Sequence, residues 1–173
     1  MMGLVARQLY HRFQTQARLK VRDMPFLMGQ HLWLGSEKLK ENDTIEDAIK
    51  NGSLSIGFIG LAETLLALTG KHHGESDESQ ALGLSIVSHL NRKCQEATEK
   101  YHLNFSLFAT PAESVSGKFI EKDKKVFGEI PGITDKEWYT NSFHVPVDYK
   151  IGAFEKIRLE GPYHKYCTAG HIS

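Results

Sequence analysis

An excess of charge of either sign is missing from this 173-residue sequence: Lys and Arg number 21, Asp and Glu also number 21, and the formal net charge is zero. This balance argues against a general nucleic-acid-binding or membrane-surface protein. Only two cysteines occur, Cys94 and Cys167, and they form neither a CxxC pair nor a disulfide framework. Their scarcity favours a reducing compartment, so we expect a cytoplasmic protein.

Long hydrophobic runs are equally scarce. No run reaches the roughly 18 apolar residues that a membrane-spanning helix needs, so we expect no membrane segment. The apolar run near the N-terminus is too short for a signal peptide. With 40% apolar and 24% charged residues, the composition is typical of one globular domain, or of one piece of a larger domain.

Apolar residues recur at helical spacing over much of the chain. Residues 1–22 carry an apolar side chain at every fourth position from Val5 to Ala17 and are predicted to form a helix. The apolar stripe of a longer helix, residues 76–102, includes Cys94, which is therefore predicted to be a buried core residue rather than a nucleophile. Shorter helices are predicted over residues 45–50, 61–68 and 153–159.

Short apolar runs predict strands between these helices. They cover residues 54–59, 104–109 and 141–147, and the sequence after residue 170 resembles the approach to another strand. Pro146 limits the third run to a sheet edge or a strand end. Strands that alternate with helices predict an α/β fold with a mainly parallel sheet or barrel, in which ligands bind beyond the carboxyl ends of the strands.

The most suggestive stretch follows the second of these strands. Thr110 suits a helix N-cap, Pro111 suits the first helical position, and Glu113 lies three residues after the cap, as in a capping box. Backbone N–H groups and the positive end of the helix dipole would then meet beside Ser114, where a phosphate is stabilised. An ordinary helix start has the same pattern, and the charge of Glu113 would oppose a phosphate.

Glycine and histidine residues offer further candidates. Gly60 lies where the first strand meets its helix, and it suits either a ligand at the backbone or close packing of strand and helix. His144 on the third strand would either face a ligand or bond to the backbone. The adjacent His72 and His73 have no carboxylate or cysteine at metal-ligand spacing, so we expect no metal there.

Five runs of the sequence together resemble one family, and they occur in the family's order. They are ARQLYHRFQTQARLKVRDMPFLMGQ, NGSLSIGFIGLAETLLALTGKHHGE, YHLNFSLFATPAESVSGKF, TDKEWYTNSFHVPV and FEKIRLEGPYHKYCTAGHIS. The family is that of the anaerobic (class III, glycyl-radical) ribonucleoside-triphosphate reductases. The resemblance covers nearly the whole chain, although His31 stands where we expect a small residue.

The resemblance implies part of a ten-stranded α/β barrel of the glycyl-radical enzyme type, incomplete in this chain, with residues 1–173 as a single partial domain. In the family, the turn that resembles TPAES holds the phosphates of the substrate nucleotide. This implies a phosphate-binding role for Thr110, Pro111, Ala112, Glu113 and Ser114. The NSFHVPV and GFIGLAE runs belong to the same barrel, which implies weaker candidates for lining the site: Gly60, Asn141, Ser142 and His144.

Motifs on which the family's chemistry depends are not found in the sequence. It contains no Met-Gly-Cys-Arg run for the radical cysteine, no Arg-Val-x-Gly-Tyr-like glycyl loop, no zinc-binding cysteine pairs and no N-terminal allosteric domain. The resemblance therefore implies an internal piece of the enzyme, without a catalytic residue of its own. For the whole enzyme it implies formate as reductant, a glycyl radical installed by an S-adenosylmethionine iron–sulfur activase, structural zinc, ATP or dATP effectors, and a homodimer.

Three functions are open from the sequence. The first is the substrate-phosphate part of a reductase barrel that acts on ribonucleoside triphosphates and is served by a radical-activating enzyme, without nucleic acid or membrane partners. The second is a non-catalytic nucleotide-binding or interaction module. The third is a histidine-dependent hydrolase that uses His72, His73 or His144, although no nucleophile motif accompanies these residues.

Overall fold

A computed structural model describes residues 1–109 and 111–168 of the chain. Helices and strands alternate along these residues: α1 (Met2–Ala17), α2 (Glu46–Ile49), β1 (Ser53–Gly57), α3 (Leu61–Thr69), α4 (Asp77–Tyr101), β2 (Asn104–Phe108), α5 (Glu113–Phe127) and α6 (Ala153–Glu160). Short 3-10 helices cover Val21–Asp23, Ser36–Lys38 and Gly161–Tyr166. β1 and β2 form a two-stranded sheet. In the part of the chain that the structure describes, no helix is long and apolar enough to cross a membrane.

The chain divides into two compact units. The first contains Met1–Ile56 and Lys93–Ser106, and its apolar core includes Val21, Met28, Ile45 and Ala48. The second contains Gly57–Arg92 and Leu107–Ser173, and its buried side chains include Leu65, Val87, Leu107, Phe143 and Tyr163. Within the second unit the rings of Phe143 and Tyr163 stack with their centroids 5.0 Å apart. Every candidate site residue predicted from the sequence belongs to this second unit.

Most of the predicted elements are found close to their predicted bounds. The long helix over residues 76–102 is α4, and Cys94 lies in its buried stripe with 1% of its surface exposed. Burial raises the pKa of the Cys94 thiol to about 11, as expected for an inert core cysteine. The strands predicted over residues 54–59 and 104–109 are β1 and β2. The strand expected after residue 170 lies outside the described residues.

The predicted first helix is wrong at its C-terminal end, because α1 ends at Ala17. Beyond it, Lys20 forms an antiparallel bridge with Thr44. The N–H of Val21 also donates to the carbonyl of Asp43 at 3.1 Å. Pairing with a distant part of the chain therefore replaces the last predicted helical turn.

The predicted third strand is also wrong. Of its residues, which are all described, only Asn141 pairs as a strand residue, in an isolated antiparallel bridge with Ile59. Ser142 then adopts a left-handed backbone with φ 41°, and the N–H of His144 donates back to the Asn141 carbonyl at 3.0 Å. The chain therefore turns after Asn141, and the consecutive residues Ser142 and Phe143 are both buried instead of facing opposite sides.

Candidate functional site

The turn between β2 and α5 carries the predicted phosphate contacts. The helix after this turn, α5, starts later than predicted: its N-cap is Ala112 and its first residue is Glu113. The capping box with Pro111 as the first helical residue is therefore wrong, and Thr110, its predicted cap, lies outside the described residues. The N–H of Ser116 donates to the Ala112 carbonyl at 2.8 Å and closes the first turn of α5.

A side chain from another segment explains the late start of α5. Oδ1 of Asn141 accepts a hydrogen bond from the N–H of Ala112 at 2.9 Å. Asn141 thus satisfies the N–H of Ala112, the N-cap residue. In the predicted capping box, a group within the turn itself would have satisfied the N–H of the N-cap. The bond joins two predicted candidates, Ala112 and Asn141, although 29 positions separate them. Ser114 is exposed on the first turn of α5 that follows.

The connection from β1 to α3 lies beside the same residues. The N–H of Gly60 donates to the carbonyl of Thr140 at 2.7 Å, and Ile59 pairs with Asn141. Gly60 has a φ of 76°, a left-handed conformation that glycine adopts without strain, and α3 begins at the next residue. The structure therefore brings Gly60, Asn141 and Ala112 into one region.

Glu63, on the first turn of α3, was missed in the sequence analysis. Its side chain is only 3% exposed. The oxygen Oε1 accepts hydrogen bonds from the N–H of Thr140 at 3.0 Å and from the Thr140 hydroxyl at 2.7 Å, and it forms a salt bridge of 2.8 Å with Lys136 Nζ. The other oxygen, Oε2, is buried without a hydrogen-bond partner among the described residues. An acid within the apolar run LAETLLALT is the signal that could have identified it.

Glu160, the last residue of α6, is a second buried carboxylate that sequence reasoning missed. Its Oε1 accepts from the N–H of Val145 at 3.0 Å, and its Oε2 lies 2.6 Å from Lys156 Nζ and 3.1 Å from His144 Nδ1. Burial by itself raises the pKa of Glu160, but the hydrogen bonds from His144, Lys156 and Val145 outweigh it and hold the pKa at about 2. Glu160 is therefore ionised at neutral pH, so His144 Nδ1 carries a proton and donates to it.

His73, on the loop between α3 and α4, is fully buried. Its Nε2 lies 2.9 Å from the carbonyl of Phe143, so Nε2 carries the proton and donates. Burial lowers the pKa of His73 to about 4, which leaves the ring neutral at pH 7. The His73 Nδ1 atom and the Ser142 hydroxyl are buried without hydrogen-bond partners in the described part of the chain. This core position gives no support to a hydrolase that uses His73.

An open cleft of about 840 Å³ is lined by residues between Lys136 and Lys156. This volume is in the range of small-molecule sites. Its lining includes Lys136, Trp138, Tyr139, Asn141, His144 and Lys156. The Lys136 and Lys156 side chains are 31% and 33% exposed and are tied to Glu63 and Glu160, so the cleft displays two ammonium groups in fixed positions. Ser142 does not belong to the lining and is 1% exposed.

The whole chain matches one protein family. A family model described as "Anaerobic ribonucleoside-triphosphate reductase" matches residues 1–173. Curated proteins of that name are similar to it: the one from Salmonella typhimurium is 34% identical over 99% of this chain, and the one from Enterobacteria phage T4 is 41% identical over 79%. The chain spans 24% and 21% of the length of these two relatives, about a quarter to a fifth.

Solved structures share the fold. The anaerobic ribonucleotide reductase from Thermotoga maritima with glycerol in the active site is 20% identical, with a TM-score of 0.59 over 96% of this chain and 27% of that chain. The structure of that reductase with dATP bound in the specificity site gives 20% identity and a TM-score of 0.61 over 97% and 28%. The mixed helices and strands of this chain therefore match part of the α/β fold of these longer reductase chains.

Proposed function

The chain belongs to the anaerobic ribonucleoside-triphosphate reductase family, and we propose that it supplies the part of such an enzyme that binds the triphosphate of a ribonucleotide substrate. The phosphates are held by the turn at residues 110–114, where β2 leads into α5. The complete enzyme then reduces ribonucleoside triphosphates to deoxyribonucleoside triphosphates by radical chemistry. Gly60, Asn141 and His144 are proposed to lie beside the bound substrate.

The observation that carries this proposal is the hydrogen bond from the Ala112 N–H to Asn141 Oδ1, at 2.9 Å. It fixes the backbone just before the first helical residue, so the N–H groups that follow have a defined direction. Fixed N–H groups at the start of a 15-residue helix stabilise an anion, and the helix dipole adds to the effect. The exposed hydroxyl of Ser114 is a further donor at this helix end.

The family implies a structural zinc, and a zinc site needs a group of His, Cys, Asp or Glu ligands. No group of three or more His, Cys, Asp or Glu side chains that could hold a metal occurs in the ranges 1–109 and 111–168, so these residues do not fit a structural zinc. Of the two free cysteines, Cys94 is buried within α4 and Cys167 is partly exposed. We assign to this chain the binding and orientation of substrate. The glycyl radical, its activase, formate, effector nucleotides and the homodimer stay predictions from the family.

Calorimetric titration of the 173-residue chain with CTP and with inorganic tripolyphosphate tests the proposal. We expect Ser114→Ala and Thr110→Val each to weaken both ligands by about fivefold, because each change removes one hydroxyl donor to phosphate. Ser85→Ala, at an exposed position of α4, is the matched control and should leave both affinities unchanged. If the variants at residues 110 and 114 bind both ligands as tightly as the unchanged chain does, the phosphate role is wrong.

A further inference from the structure

Residues 140–145, here called the clamped segment, are held by three buried side chains from outside the segment. Glu63 of α3 binds Thr140, His73 binds the carbonyl of Phe143, and Glu160 of α6 binds Val145 and His144. Glu63, His73 and Glu160 are 3%, 0% and 0% exposed. The clamped segment also contains Asn141, the residue whose Oδ1 holds the Ala112 N–H.

We infer that Glu63 and Glu160 are positioning residues, which fix the clamped segment so that Asn141 holds the N–H of Ala112 and thereby sets the phosphate-binding turn. Neither carboxylate is placed against the phosphates in this scheme. Their effect on the turn passes through the backbone of the clamped segment and the side chain of Asn141. The inference rests on the proposed function and deepens it, because it states how the turn is given its shape.

The bonding of Glu63 favours positioning over a purely stabilising role. Two donors from Thr140 and the Lys136 ammonium reach Oε1, while Oε2 stays buried without a partner among the described residues. Burying a carboxylate costs free energy that an ion pair often fails to offset, and an unpaired buried oxygen adds to that cost. The arrangement fixes the backbone N–H and the hydroxyl of Thr140, the residue that precedes Asn141.

Glu160 holds the other end of the clamped segment. Its Oε1 accepts from the N–H of Val145, and its Oε2 contacts His144 and Lys156. Between the two carboxylates, Ser142 keeps a φ of 41°, a conformation that is uncommon for residues other than glycine and that persists only where the surroundings impose it. Fixed ends therefore account for the sharp turn that follows Asn141.

Hydrogen exchange at the Ala112 amide tests the inference without any ligand. In the ¹⁵N-labelled chain, we expect Glu63→Ala to speed exchange at Ala112 by about tenfold, because the partner of that N–H is no longer held in place. Exchange at Val87, in the core of α4, should change much less. Glu63→Gln keeps an acceptor for the Thr140 N–H and should restore most of the protection at Ala112, although it also loses the charge that pairs with Lys136.

Binding of inorganic tripolyphosphate supplies a second readout, in a double-mutant cycle. We expect Glu63→Ala and Glu160→Gln to weaken binding by about fivefold in the otherwise unchanged chain, and to have no further effect when Asn141 is already replaced by Ala. Glu155→Gln is the matched control on α6, since Glu155 pairs at the surface with Arg158 at 2.7 Å, and it should leave binding unchanged. If Glu63→Ala does not fold, Thr140→Val removes only the 2.7 Å hydroxyl bond and should give a smaller loss in the same direction.

Two results would overturn the inference. One is exchange that rises equally at Ala112 and Val87 in the Glu63 variants, since this shows a general loss of stability. The other is a Glu63→Ala effect on binding that stays the same size in the Asn141→Ala background. A chain that binds no tripolyphosphate at all contradicts the proposed function instead, and the exchange at Ala112 still decides whether the two carboxylates position the turn.

Discussion

Two buried ionisable side chains of the second unit, His73 and Glu160, are expected to make its unfolding free energy depend on pH. His73 is neutral at pH 7 and Glu160 is ionised, because the first has lost water without gaining a counter-charge at hydrogen-bond distance, whereas the second is bonded to Lys156 and His144. Protonation of Glu160 in the fold works against the hydrogen bonds that it accepts, whereas protonation of His73 is disfavoured by its burial. The pH windows of the two groups differ, since the pKa of His73 falls from 6.5 to about 4 and that of Glu160 from 4.5 to about 2.

The unfolding free energy is expected to fall between pH 6.5 and pH 4 through His73. In this window the unfolded chain binds a proton that the folded chain does not, so the His73 contribution is complete above pH 6.5 and is lost as the pH falls toward 4. A pKa difference of this size corresponds to about 3 kcal/mol. Urea unfolding at several pH values across the window measures it. Glu160 should add its own loss only at lower pH, from 4.5 toward 2.

The substitution His73→Gln isolates this contribution, because glutamine keeps an N–H donor for the Phe143 carbonyl but does not titrate. We expect a lower unfolding free energy at pH 7 and a shallower fall toward pH 4. Some slope should persist, because burial also lowers the pKa of His72. His11→Gln, at an exposed position of α1, should leave the slope unchanged. A slope as steep in His73→Gln as in the unchanged chain would contradict the assignment.

At the scale of single residues, the sequence analysis named residues near the turn but missed the buried carboxylates that bind the clamped segment. Asn141 and Gly60 were predicted candidates, and the structure joins both to the start of α5 or to its partner segment. Glu63 and Glu160 were missed, because charged residues are assigned to the surface unless tertiary contacts are known. His31, which stands where the resemblance led us to expect a small residue, has a φ of 55°, in the left-handed region where glycine is favoured over larger residues.

Among the elements, α4 makes a close contact that depends on a glycine. A Cβ atom at Gly83 would overlap the hydroxyl of Tyr163 and would lie 3.1 Å from Leu65 Cδ1. Tyr163 is fully buried, and its hydroxyl donates to Oε1 of Gln80 at 2.9 Å, so it has little room to move. The absence of a side chain at Gly83 is therefore a packing requirement of the second unit.

Gly83→Ala is expected to lower the unfolding free energy by about 1–3 kcal/mol, because an added methyl group overpacks the core. The higher helix propensity of alanine, up to about 1 kcal/mol, offsets only part of this cost. Gly3→Ala is the matched control: Gly3 lies in α1, and a Cβ there meets nothing within 4 Å. It should be neutral or slightly stabilising in urea unfolding. Equal effects of the two substitutions would show that propensity alone matters at Gly83.

Elements that depend on a short stretch of sequence were predicted well, whereas elements that depend on distant side chains were not. α3 and α4 were predicted well, because each buries one face and carries the corresponding apolar spacing. α6 was also predicted close to its bounds, although its buried residue is Glu160 and not an apolar one. The start of α5 and the segment after Asn141 were predicted wrongly, because hydrogen bonds from distant side chains decide both. The bond between Ala112 and Asn141 spans 29 positions, and no pattern within a short window contains it.

For the molecule as a whole, large apolar side chains stand exposed on the second unit. They include Phe119, Phe127, Trp138, Phe154 and Ile157, which are between 47% and 78% exposed. Apolar side chains of this size mark a contact with other protein where they form one continuous patch. The chain spans 24% of the length of its Salmonella typhimurium relative.

We expect this chain to bind substrate without carrying out the radical chemistry. The 173-residue chain, supplied with a ribonucleoside triphosphate, formate and a radical-activating enzyme, should yield no deoxyribonucleotide. The reason lies in its own residues, since the sequence contains neither the Met-Gly-Cys-Arg run nor the glycyl loop, and Cys94 is sealed within α4. A full-length relative assayed beside it is the positive control, and product from the 173-residue chain alone would contradict the assignment. Calorimetry on the same preparation should still detect binding of the triphosphate, because the turn at residues 110–114 and the clamped segment that shapes it both belong to this chain.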